Sequence, residues 1–207
     1  MAANPNVAFG FRPVNLYGSS PANYALNVMN IAYNQSDKIA YGDPVIQNSS
    51  GQIDVMAISG SAIFGVFAGC EYPNATSVGG VAFSPYWPGV TIGTTAIVTA
   101  RVISDPTMVF MAQYIGTALT QTNIGNNVDI TTGTSGAPNA AGFSVCSLGG
   151  TADTTNTKPF RIVGIVGIGD IFANGNLGPI PGYDPTLDNN FVYVKMNTSS
   201  LLATTGT

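Results

Sequence analysis

The sequence predicts an all-β protein, a jelly-roll-like or related antiparallel β-sandwich or barrel with an extended N-terminal arm. Three observations carry this reading. Short apolar and β-branched segments recur along the chain between Gly, Pro, Asn and Asp turns. No capped amphipathic stretch is long enough for an ordinary helix. The residues that cover helix faces are scarce, with one Glu and three Lys in 207 residues. Residues 1–20 read as the arm and 21–207 as a single β domain containing a long loop at 172–189.

The arm is rich in Asn, Pro and Gly, with Phe9, Phe11, Leu16 and Tyr17 interspersed. Ordering such a segment costs entropy that docking must offset, so its hydrophobic residues read as anchors for a partner. On that reading its removal leaves the β body folded. Val45-Ile46 and Ile53–Ile58 form two strands around the turn Asn48-Ser49-Ser50-Gly51. Ala62–Ala68 is continuously apolar, as a strand buried on both faces would be. Thr95–Val102 is rich in β-branched residues, and Thr107–Tyr114 follows the turn Ser104-Asp105-Pro106. A short turn of helix is expected within Ile115–Thr122. Phe143–Leu148 reads as a short strand stopped by Gly149-Gly150, and Phe160–Ile168 as the clearest strand of all. Asn190–Met196 alternates Phe191, Tyr193 and Lys195 with Val192, Val194 and Met196. The 172–189 loop exceeds the usual length in a compact domain, which marks it as functional or poorly ordered.

Composition excludes several functions. Charged residues are 8% of the chain, against about 25% in an ordinary domain. Polarity comes instead from 21 Thr, 19 Asn and 15 Ser. Six scattered cations and no basic run argue against nucleic-acid binding. The absence of His removes the commonest general base and metal ligand. Neither a secretory signal nor a transmembrane helix is read, because Pro and Gly interrupt the uncharged stretch Tyr72–Ala100. A chain so poor in charge gains solubility by residing in an assembly. Cys70 and Cys146, without an export signal, read as reduced and buried.

No constellation reads as a catalytic or cofactor site. Gly133-Thr134-Ser135-Gly136-Ala137-Pro138 resembles a serine-protease nucleophile loop but lacks the His that must take the serine proton. The glycines of Gly164–Gly169 lie within a strand with no helix after them, so they suit close packing better than phosphate binding. Asp184 and Asp188 with Asn189 and Asn190 suit an Asx-turn network better than a Ca²⁺ site. No cofactor and no metal are therefore expected. Tyr86-Trp87-Pro88-Gly89 sets the sole Trp beside Tyr and two prolines, aromatics that either plug one end of the sandwich or stack on a ligand or partner.

The opening Asn4-Pro5-Asn6-Val7-Ala8-Phe9-Gly10-Phe11-Arg12-Pro13-Val14 resembles the start of a family of tailed-bacteriophage virion proteins, the decoration or cement proteins of the capsid. Gly42-Asp43-Pro44-Val45, Gly65–Gly69, Asp105–Phe110 and Asn190–Asn197 follow in that family's order. The chain departs from the pattern in its low charge and in the 172–189 loop. The resemblance implies an all-β protein without catalysis, bound to the outside of the major capsid protein lattice. It also implies a place on the virion exterior after synthesis in the host cytoplasm, and since such a lattice offers local three-fold and two-fold positions, self-association is expected, as a trimer before a dimer. Neither nucleic acid nor membrane is expected as a partner. Phe9, Phe11, Arg12, Tyr17, Tyr86 and Trp87 are the candidate partner-binding residues, with Arg12 paired to an acidic group on the shell or packed over an aromatic ring. The alternative is a glycan-binding or adhesive surface module, a head fibre or spike, in which Trp87, Tyr86 and Tyr183 stack on sugars.

Overall fold

The computed structural model describes residues 3–16, 26–56, 62–74, 80–93, 96–132, 139, 141–168 and 182–202. Their strands are, in chain order, β1 (Arg12–Leu16), β2 (Leu26–Ile31), β3 (Pro44–Gln47), β4 (Ile53–Val55), β5 (Gly65–Pro73) and β6 (Val81–Ser84). They continue with β7 (Val98–Ile103), β8 (Met108–Gln113), β9 (Asn127–Thr132), β10 (Ser147–Asp153), β11 (Phe160–Ile165) and β12 (Phe191–Met196). The all-β class is as the sequence predicts.

Six strands form one sheet in the order β1-β8-β12-β11-β9-β10. The other six run β3-β4-β2-β7-β5-β6, and β3 also pairs with β5 through Pro44↔Val66 and Val45↔Gly65. That extra pairing closes β3, β4, β2, β7 and β5 into a five-stranded barrel, with β6 hanging from its wall. The parallel contact Ile31↔Ile53 joins β2 to β4 and completes the ring. The protein thus combines a barrel with a sandwich, rather than the two open sheets of a jelly roll.

Three apolar layers follow from this closure. Ile31, Ile39, Val45, Phe67, Trp87, Val98, Ala100 and Val102 are among the side chains that fill the barrel. Between barrel and sheet lie Phe11, Met56, Ile63, Val66, Ile103, Phe110, Phe160, Ile162, Val192 and Val194. Val109, Val163, Val166 and Tyr193 cover the outer face of the sheet, with Tyr183 and Phe191 packed on them. Adjacent residues of one strand serve different layers. Val66 and Ile103 face the sandwich while Phe67 and Val102 face the barrel. Here β5 and β7 form a wall common to both cores, so the apolar run in β5 is continuous rather than alternating. The predicted hairpin β3–β4 is present, and Asn48 Oδ1 accepts from Ser50 N and Gln52 N, both at 3.0 Å.

Several expectations need correction. Gly149-Gly150 does not stop a strand but lies within β10. A Cβ on Gly149 would meet Thr131 Cβ at 2.7 Å, so the residue is small because β9 passes close by. In Ile115–Thr122 the only helical geometry is the start of a 3₁₀ turn, Gln121–Asn123. β5 also runs on to Pro73, past the expected end at Ala68. Four strands, β1, β2, β6 and β9, were not expected. Among the described residues no helix is long and apolar enough to cross a membrane.

Candidate partner-binding surface

The arm is part of the body. Asn4 is buried and its side chain closes a ring of hydrogen bonds with the 182–190 segment. Nδ2 donates to the carbonyls of Asp184 (2.8 Å) and Asp188 (2.9 Å), and Oδ1 accepts from Asp184 N at 2.9 Å. Gln113, fully buried, donates to the Pro5 carbonyl at 2.7 Å and accepts from Val7 N at 2.8 Å. Phe9 meets Phe191 edge-on with ring centroids 5.7 Å apart, and Phe191 stacks on Tyr183. Phe11 is fully buried and stacks on Phe160 at 4.3 Å. β1 then pairs antiparallel with β8. The expectation that residues 1–20 dock only on a partner is corrected for the described residues 3–16. Phe11 enters the protein's own seam between sheet and barrel, while Phe9 packs on the outer-face layer at Phe191.

Gly10 makes the passage into that seam. Its φ is +73°, and a Cβ there would lie 2.4 Å from Ser144 Cβ. Beyond it, Arg12 leaves the seam between two rings, its guanidinium carbon 5.0 Å from the Tyr41 centroid and 4.7 Å from that of Phe143. The two rings are edge-to-face at 5.7 Å. Of the two roles expected for Arg12, packing over an aromatic ring is the one the geometry provides. Partial burial lowers the Arg12 pKa, and Tyr41 opposes that effect. Tyr41 and Phe143 carried no signal in the sequence, because about a hundred residues separate them and only an isolated β-bridge outside the strands brings them together.

Asp43 lies beneath this slot and is also buried. Its Oδ2 accepts from Ala40 N at 2.7 Å, while Oδ1 has no hydrogen bond of normal geometry. Burial pushes its pKa up to about 6, against the opposing pull of the Ser144 hydroxyl and the Ala40 amide.

The remaining candidates separate. Trp87 is fully buried inside the barrel, edge-on to Tyr72 at 5.3 Å, with Nε1 donating to the Gln35 carbonyl at 2.9 Å. It is the plug, not a surface stacking residue. Tyr86 is half-buried, and its ring lies so close to Gly142 that a Cβ there would be 2.5 Å from Cδ1. Tyr183 is spent on Phe191, with its hydroxyl donating to the Val166 carbonyl at 3.2 Å. The sugar-stacking trio of Trp87, Tyr86 and Tyr183 is therefore not assembled. Tyr17, the Gly133–Pro138 segment and residues 172–181 of the long loop lie outside the described residues.

The acidic pair near the arm forms an Asx network. Asp184 Oδ1 accepts from Thr186 N (2.9 Å) and Thr186 Oγ1 (2.6 Å), and Asp188 Oδ1 accepts from Ala118 N at 2.9 Å. Cys70 faces the barrel core and Cys146 the sandwich core, both unpaired. Burial, with Glu71 adding to it, pushes the Cys70 pKa up to about 12, which leaves the thiol unreactive.

The Arg12 slot presents one cation among apolar side chains. Phe143 and Val145 are partly exposed, as are Val14 on β1 and Val7 on the arm. Compared with known proteins, the chain matches no family model, no curated protein and no solved structure.

Proposed function

We propose that this protein is a decoration or cement protein of a tailed-phage head, binding the outer surface of the major capsid protein lattice and stabilising the shell. The observation that carries the reading is the surface of apolar residues around the Arg12 cation, where the opening segment that resembles that family meets Tyr41 and Phe143. Phe143, Val145 and Val14 offer apolar area, and Arg12 is held in place by rings rather than by a carboxylate. Such a surface suits a partner that offers apolar area and an acceptor for one cation, with burial and hydrogen bonds supplying most of the affinity. The anchoring role moves from Phe9 and Phe11, which the body itself uses, to the residues that flank the slot. Function is then mechanical: each bound copy favours the assembled lattice by roughly RT ln(1 + [L]/Kd).

The test is co-sedimentation with heads assembled from the cognate major capsid protein and lacking this chain. Phe143→Ser and Val145→Ser together should weaken binding about tenfold or more, measured well below the variant's own melting temperature because both side chains are partly buried. Undiminished binding by the double variant would remove this surface from the interface, and no binding by the wild type would remove the capsid role.

A further inference from the structure

The barrel bears a separate exposed face where β5 and β7 run on beyond the sandwich seam. Cross-strand neighbours there are Val28 with Arg101, Thr99 with Glu71, and Glu71 with Phe83. Phe83 is 75% exposed, Ile97 69% and Val28 65%. Arg101 and Glu71 form an ion pair in their midst. A shallow hollow lies on each side of Glu71. One of about 300 Å³ is lined by Gly69, Phe83, Pro85 and Arg101, and one of about 170 Å³ by Tyr72, Pro73, Val81 and Ile97.

We propose that this face is a two-fold contact between two copies of the chain. A contact of that symmetry must be complementary to itself. Phe83 is a projecting ring beside a hollow that a second Phe83 can enter. Arg101 lies beside Glu71, so a two-fold rotation can set the Arg101 of one copy against the Glu71 of the other. The chain has a net charge of -4, yet on this face Arg101 lies against Glu71, so the two charges at its centre offset each other. A three-fold would need two different complementary patches, and this face supplies both halves of its own complement. The inference does not depend on what the Arg12 surface binds.

Sedimentation equilibrium of the full chain over a wide concentration range tests it. The wild type should show a monomer–dimer equilibrium, weak because the patch is small. Phe83→Glu should raise the dissociation constant about tenfold or more. Its melting temperature should stay close to that of the wild type, because the ring is mostly in water. Arg101→Glu and Glu71→Arg should each weaken dimerisation, yet an equimolar mixture of the two should form heterodimer. The ion pair within each chain is broken in both variants, so rescue on mixing reports only the contact between chains. A wild type that stays monomeric, association that survives Phe83→Glu, or charge variants that fail to rescue each other would each overturn the proposal.

Discussion

Phe11 and Asp43 show how much single side chains decide here. Phe11 sits on Phe160 in the sandwich core, so Phe11→Ala should cost about 3–5 kcal/mol in a denaturant titration. A loss under 1 kcal/mol would mean that the arm is not packed as described. Asp43 acts in the opposite direction. Its pKa is raised from 3.8 to about 6, so the folded state binds the proton more tightly than the unfolded chain does. Its contribution is complete below about pH 4 and is lost as the pH rises through about 6. Asp43→Asn keeps an acceptor for the Ala40 amide and carries no charge. It should therefore raise stability at pH 8 by about 1–3 kcal/mol and flatten the profile between pH 4 and 6. Thermal melts of both proteins across that range check the sign, and a variant less stable at pH 8 would show that the ionised carboxylate is needed.

Among the elements, the arm behaves least like its sequence. Deleting residues 1–11 removes Phe11 from the core and the Asn4 ring from the 182–190 segment. The truncated chain should lose its cooperative melt or melt far lower, where an arm reserved for a partner would leave the melt unchanged. Asn4→Ala isolates the polar part of that anchoring. Three bonds within 3 Å end on its side chain, and their loss should cost about 1–3 kcal/mol. Hydrogen exchange at the amides of residues 184–189 should rise with it. The β3–β4 hairpin was legible because Asn48 and Gly51 set the turn locally. β5 was legible in type, because a strand buried on both faces needs a continuous apolar run. β2 and β6 were not, because each sets apolar residues such as Val28 and Phe83 toward water and so breaks the inside–outside rule that the eye relies on.

For the whole molecule, surface charge pairs contribute little to folding. The ion pairs Arg101–Glu71 and Lys158–Asp153 each include an exposed group, so neither contributes much. The melting temperature at neutral pH should therefore shift little between low and high NaCl. The same should hold for capsid binding on the proposed reading. Heads carrying the protein should withstand higher temperature than bare heads at either ionic strength, and stabilisation confined to low salt would place charged pairs at the interface instead.

The sequence by itself determined the all-β class, the hairpin around Asn48 and the burial of both cysteines. Each rests on local chemistry or on composition: strand-forming residues between turn residues, an Asx turn, apolar thiols. Barrel closure, the Trp87 plug, the docking of the arm and the ring slot around Arg12 were decided only in the tertiary structure. Every one of these joins segments far apart in the chain, Tyr41 to Phe143 or Asn4 to Asp188, and no local pattern carries such a pairing. The arm shows the reason most plainly. Aromatic residues in an Asn- and Pro-rich segment signal that something must cover them, but whether that is a partner or the protein's own seam depends on a groove that exists only once sheet and barrel have closed on each other.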